Sequence, residues 1–144
     1  MQVKFKLFDT TLPVPEYKTA GAAAFDLYAR VETVIPARQV GYVPLNIALQ
    51  LPEGYWALVS ARSSLHKRGL MMANGIGVGD HDYRGNNDEY KAALYNFTDL
   101  PVKIERGERI VQMIILEREP VELQLVEQFA DAVDRGGFGS TGQK

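Results

Sequence analysis

Apolar and polar residues alternate from the start of the chain: Val3, Phe5 and Leu7 are interleaved with Gln2, Lys4 and Lys6, the period-two pattern of a strand with one covered face. Leu45, Ile47, Leu49 and Leu51 alternate in the same way with Asn46, Ala48 and Gln50. Both stretches are predicted as half-buried strands. After the second, Leu51-Pro52-Glu53-Gly54 puts proline and glycine where a type I turn takes them, so a hairpin into residues 55–60 is expected. Further strands are predicted over residues 25–29, 90–95, 109–116 and 121–126, each bounded by Pro, Gly, Asn or Asp. Only residues 63–68 read as a helix, with Ser63 in the capping position, Lys67 and Arg68 in the last turn and Gly69 after it. Many short strands around one short helix predict an all-β domain, a β-sandwich or jelly roll.

Composition narrows this picture. A chain of 144 residues with 46% hydrophobic residues can bury one core but not two ordinary ones, and no stretch repeats or falls to low complexity. A formal net charge of -2 provides no positive field for non-specific nucleic-acid binding, so no nucleic-acid partner is expected. With no cysteine, disulfides, thiolate zinc sites, iron-sulfur clusters and cysteine nucleophiles are excluded, and any chemistry must use oxygen and nitrogen groups. Met1 leads directly into the first alternating segment and no long apolar run follows, so a cytoplasmic protein without a membrane partner is expected.

Candidate chemistry lies in the punctuation between strands. In Ala61-Arg62-Ser63-Ser64-Leu65 a guanidinium and two hydroxyls gather at the start of the helix, which suits phosphate; the plainer reading is a capping serine and a surface arginine. Asp80 and Asp82 stand two apart in Gly79-Asp80-His81-Asp82-Tyr83, so on an extended chain both face one side, where Asp80 can take a proton from water and either can serve Mg²⁺; Asp and Gly are also ordinary turn residues. Asn74-Gly75 is a strong turn dipeptide, and a hairpin over residues 70–80 would present backbone groups to a planar base. Gln112 interrupts an apolar strand and needs a partner, and Asp26 poses the same question within Phe25-Asp26-Leu27-Tyr28. At the C-terminus, Gly136, Gly137, Gly139 and Gly142 surround Phe138, Ser140 and Thr141, a composition that fits either an unstructured end or a segment ordered around a polyanion and a base.

In order along the chain, five segments resemble the motifs of the trimeric dUTP pyrophosphatases: Ala20-Gly21-Ala22-Ala23-Ala24-Phe25-Asp26-Leu27, Arg62-Ser63-Ser64-Leu65, Asn74-Gly75 through Asp80-His81-Asp82-Tyr83-Arg84-Gly85, Gly107-Glu108-Arg109-Ile110-Val111-Gln112-Met113-Ile114, and Arg135-Gly136-Gly137-Phe138-Gly139-Ser140-Thr141-Gly142. The resemblance implies a jelly-roll homotrimer whose active sites are shared between chains, with a domain over residues 1–134 and a flexible tail over 135–144 closing on a neighbour's site. It implies Mg²⁺-assisted hydrolysis of dUTP to dUMP and pyrophosphate, which limits uracil in DNA and supplies dUMP for dTMP synthesis. By position, Asp80 would direct and deprotonate the water that attacks the α-phosphorus. Arg62, Ser63, Ser64, Gln112, Arg135, Ser140 and Thr141 would hold the phosphates, and Asp26 would act on the metal through water. Asn74, Val78, Gly79 and Lys91 would meet the base, with Tyr83 under the deoxyribose and Phe138 stacked on uracil.

The chain departs from that pattern in four places. The segment before Gly69 is one residue shorter than usual, Gly79 replaces a larger apolar residue, Asn86-Asn87-Asp88 is inserted after Gly85, and the spacer between Arg135 and Phe138 is short, as in some bacterial and phage members. Two rivals share the resemblance: a dCTP deaminase-like enzyme, whose glutamate context is not found here, and a catalytically idle nucleotide-binding trimer, against which Asp80, Gln112 and the complete tail argue.

Overall fold

A computed structural model describes residues 1–130 together with 133, 134 and 136. Among these, eleven strands and one turn of 3₁₀-helix follow in order: β1 (Lys4–Leu7), β2 (Phe25–Tyr28), β3 (Thr33–Ile35), β4 (Val40–Pro44), β5 (Ile47–Gln50), β6 (Tyr55–Ala61), the 3₁₀ turn (Leu65–Arg68), β7 (Leu70–Met72), β8 (Gly77–Gly79), β9 (Lys91–Asn96), β10 (Val102–Ile104) and β11 (Arg109–Glu117). They form a four-stranded sheet in the order β2-β11-β6-β8, a three-stranded sheet β4-β9-β7, and the pairs β1-β5 and β10-β3. All pairings are antiparallel. This is the expected all-β jelly roll. No helix of the described residues is long and apolar enough to cross a membrane.

The sheets close on one core. Leu27, Ile35, Val43, Leu45, Leu70, Leu94, Ile104, Val111 and Met113 are almost fully buried within it. Along β9 the alternation is clean: Ala92, Leu94 and Asn96 are buried, while Lys91 is exposed and Ala93 and Tyr95 are intermediate. Asn96 is tolerated inside because its amide is fully engaged, donating to the carbonyls of Ile35, Pro36 and Leu100 and accepting from Thr98.

Several sequence expectations change here. The turn at Pro52 forms, with Tyr55 N–H donating to Pro52 C=O at 3.3 Å and Gly54 at φ 80°, but no hairpin follows. β5 pairs with β1, and β6 pairs with β11 and β8. A turn reverses the chain without choosing the partner strand. β5 is buried on both faces, Ala48 as well as Ile47 and Leu49, so it lies in the interior instead of beside β6. Phe5, expected on a covered face, is half exposed. The predicted helix is a single 3₁₀ turn with Ser64, not Ser63, in the capping position, and no side chain bonds its free N–H groups. Gly69 ends it as expected, at φ 74° with its N–H donating to His66 C=O. Residues 121–126 form no strand: Val121, Leu123 and Leu125 stand exposed because no strand edge among the described residues reaches them.

Asn46 holds a left-handed conformation at φ 65° because its amide bridges to Asp9, accepting from Asp9 N–H at 2.7 Å and donating to Asp9 C=O at 3.0 Å. Asn46 N–H in turn donates to the buried carboxylate of Glu89, which Arg30 grips with Nε at 2.7 Å and Nη2 at 2.9 Å. This cluster ties β1, the turn before β5 and the inserted loop together. Removing the carboxylate strands a partly buried guanidinium and a backbone donor, so Glu89→Ala is expected to lower unfolding stability by about 3 kcal/mol. Urea titration should show a lower midpoint at unchanged slope; a midpoint within error of the parent would mean that the cluster is not stabilising.

Candidate active site

Six of the nominated residues meet in one recess. Asn74, Val78, Gly79, Asp80, Tyr83 and Lys91 line a cavity of about 440 Å³, room enough for a base and a sugar. The chain reaches it through the turn at Asn74-Gly75, where Gly75 adopts φ 72° and Ile76 N–H donates to Asn74 C=O at 2.8 Å. The two arms of this turn do not form the expected hairpin, since β7 joins β9 and β8 joins β6. What fixes the recess is therefore the register of β8 on β6: Gly77 opposite Val59, Val78 opposite Leu58 and Gly79 opposite Ala57. That register places Asp80 just beyond the strand end, exposed at the recess.

Beyond Asp80 the chain turns, with Tyr83 N–H donating to Asp80 C=O at 3.2 Å. The turn replaces the extended chain expected here and leaves the two carboxylates sharing only one of two depressions. Asp80 borders both this recess and a second depression lined by Glu53, Tyr55, Trp56, His81, Asp82 and Arg118, whereas Asp82 borders only the latter. Tyr83 is held from two directions: its hydroxyl donates to Glu89 C=O at 2.9 Å, and its ring meets that of Tyr90 edge to face, 5.3 Å between centroids at 88°. Burial pushes the Tyr90 phenol up to about 12 and raises that of Tyr83 as well, so both walls are neutral at physiological pH. Tyr42, Glu89 and Tyr90 line the recess too, and reading the sequence did not single them out. For Tyr90 the available signal was Gly79 together with the neighbouring insertion.

The phosphate candidates gather elsewhere. Arg62 and Ser64 line a recess of about 450 Å³ with Lys67, Arg68, Arg109 and Glu108; Arg68 pairs with Glu108, while Ser63 is exposed and does not line the recess. Four cations converge there against two carboxylates, Glu108 on Arg68 and Asp26 on Arg62 and Arg109, which leaves an excess of positive charge for a polyanion. Asp26 and Ser60 lie opposite Gln112 on either side of β11, which puts all three on one face of the sheet. The Asp26 carboxylate takes Arg62 Nε at 2.9 Å and Arg109 Nη1 at 3.0 Å. Gln112 Nε2 donates to Ala61 C=O at 3.1 Å, which satisfies half of its amide within the chain.

The two recesses share no lining residue, so one chain holds the residues nominated for nucleoside and those nominated for phosphate apart. Among the described residues no three His, Asp or Glu side chains come together to hold a cation directly. Asp26 is the carboxylate beside Arg62 and Gln112, and with both oxygens engaged by arginines its fit to a metal is through water. Arg135, Phe138, Ser140 and Thr141 lie outside the described residues.

The sequence model of the dUTPase family matches residues 10–142. A deoxyuridine 5'-triphosphate nucleotidohydrolase of Dictyoglomus turgidum is 39% identical over 99% of each chain. The crystal structure of a dUTPase from Streptococcus mutans superposes with a TM-score of 0.75 at 32% identity, covering 82% of this chain and 98% of that one. A Staphylococcus bacteriophage 80alpha dUTPase with dUPNHPP shares the fold at a TM-score of 0.84 and 24% identity, over 98% of each chain.

Proposed function

The chain belongs to the dUTPase family and hydrolyses dUTP to dUMP and pyrophosphate; we propose that Asp80 directs the attacking water in this reaction and that Tyr83 gauges the sugar. The observation that carries this reading is the single recess in which Asn74, Val78, Gly79, Asp80, Tyr83 and Lys91 meet. Uracil sits against Asn74 and the β8 backbone, whose polar groups would be left unpaired by a wrong base. The deoxyribose lies on the Tyr83 ring, and Asp80 at the end of β8 takes a proton from water aimed at the α-phosphorus.

Phosphates take the second half of the site. Arg62, with Ser63, Ser64 and Gln112 nearby, neutralises charge that grows on the leaving pyrophosphate, and a preorganised guanidinium stabilises the transition state more than the ground state. Mg²⁺, held by the substrate with Asp26 acting through water, supplies further neutralisation when bound. The absence of any residue lining both recesses is in keeping with a homotrimer whose sites are shared between chains. The exposed Val121, Leu123, Leu125 and Phe129 support it too, since they find no cover within one chain. Arg135, Phe138, Ser140 and Thr141 complete the site by closing over the bound nucleotide.

Incubation with dUTP, dCTP and dTTP in the presence of Mg²⁺ tests the reading: dUMP and pyrophosphate from dUTP alone are expected. Ammonia from dCTP, or no product at all, would sink it. Tyr83→Ala should raise UTP hydrolysis and lower the dUTP-to-UTP ratio of kcat/KM by about 10²-fold, since a ring's contact with the sugar edge excludes a hydroxyl sterically. A fixed ratio would move sugar discrimination to another residue.

A further inference from the structure

Tyr90 lines the recess beside Asp80 and Tyr83 without a role in the proposed reaction. It is 6% exposed, and its hydroxyl is the one buried side-chain polar atom without a hydrogen-bond partner among the described residues. A buried phenol that makes no hydrogen bond carries a desolvation cost, so its position calls for a reason in its ring. The ring fills space that Gly79 leaves open: a Cβ on residue 79 would lie 2.4 Å from Tyr90 Oη, 2.6 Å from Cε1 and 2.9 Å from Cζ. Gly79 is thus the counterpart of Tyr90. Either one enlarged, or both restored to medium side chains, changes the floor of the recess directly before Asp80.

The floor is rigidly mounted. Tyr90 N–H donates to Ile47 C=O and Tyr90 C=O accepts from Leu45 N–H, both at 2.9 Å. Its neighbour Glu89 is clamped by Arg30 and Asn46, and the Glu89 carbonyl receives the Tyr83 hydroxyl. The inserted loop before them is closed on itself, Gly85 N–H donating to Asp88 Oδ2 and Asp88 N–H to Gly85 C=O. One face of Tyr83 contact comes from the Tyr90 ring and its polar end from Glu89, so two consecutive residues set where the Tyr83 ring stands.

We propose that Tyr90 is a positioning residue: admitted by Gly79, its ring sets the height of Tyr83 in the recess and thereby the discrimination between deoxyribose and ribose. This rests on the reading that Tyr83 meets the sugar. A gauge of this kind works over fractions of an ångström, and misplacement by about 1 Å costs up to about 10²-fold in rate.

Steady-state hydrolysis of dUTP and UTP by four variants tests it against Tyr83→Ala. Tyr90→Leu should lower the dUTP-to-UTP ratio of kcat/KM about tenfold, while Tyr90→Phe, which keeps the ring, should hold the ratio within about twofold. Gly79→Ala should raise the dUTP KM about tenfold by pushing the ring onto Tyr83, and Gly79→Ala combined with Tyr90→Leu should recover most of that loss, a coupling expected only of residues sharing one space. If Tyr83→Ala collapses the ratio and Tyr90→Leu does not, Glu89 alone seats Tyr83 and the proposal fails while the sugar reading stands. If Tyr83→Ala leaves the ratio intact, the sugar reading falls and the proposal falls with it. Should Tyr90→Leu not fold, Gly79→Ala decides: an unchanged dUTP KM with alanine at 79 overturns the proposal.

Discussion

With Asp80 replaced by Asn, dUTP is expected to bind as before while kcat falls by about 10²–10⁴-fold, the share of rate that a positioned general base supplies. The carboxamide keeps the size of the carboxylate but cannot take up a proton. Binding should survive because Asp80 stands beyond the end of β8, exposed at the recess, and carries no part of the core. The β8–β6 register that shapes this wall of the recess, Gly77 to Gly79 on Val59 to Ala57, is untouched by the change. Calorimetric titration with dUTP beside steady-state kinetics separates the two effects. Equal losses in affinity and turnover would make Asp80 a binding group, and undiminished turnover would remove it from the reaction.

Deleting residues 136–144 is expected to leave folding unchanged and to lower kcat/KM by roughly 10²-fold or more, because closure over a bound nucleotide orients it and expels water. The folding half of this expectation rests on the core: the last strand, β11, ends at Glu117, and every residue of the buried cluster lies at or before Met113. The activity half rests on composition, four glycines that free the backbone around one ring and two hydroxyls. A thermal melt matching the parent with activity lost is the expected pair of results. Full activity in the shortened protein would make the segment a passive end.

Both expectations start from residues that were legible before any coordinates, and so was much of the architecture. Period-two alternation marked β1 and β5, Pro, Gly, Asn and Asp at their ends marked β2, β9 and β11, and the turn at Pro52 marked β6. The strands β3, β4 and β10 escaped, while β7 and β8 were expected as the two arms of one hairpin. The two hairpins inferred at Pro52 and Asn74 show the limit of such marks. Each turn is real, yet its flanking strands enter different sheets, because local chemistry bends the chain while partner choice depends on which edge covers the most apolar surface.

The candidate site divides along the same line. Arg62, Asn74 and Asp80 could be nominated from residue type and spacing, because phosphate, base and proton transfer each demand particular groups, whereas the roles of Tyr83 and Gln112 came only from the resemblance to the family's motifs. Tyr90 and Glu89 could be nominated neither way, since their roles arise from contacts with Gly79, Arg30 and Asn46 that lie far off in sequence. Asp26 belongs with both: the resemblance suggested a metal for it, but only the pairing of β2 with β11 set it opposite Gln112 and between two arginines. The amino-acid order thus determined the all-β class, the turns and the chemical inventory, which are local and periodic properties. The tertiary structure decided which strands are neighbours, that the nominated nucleoside and phosphate residues line separate recesses of one chain, and what each side chain leans on, because those follow from packing distant segments into one filled interior.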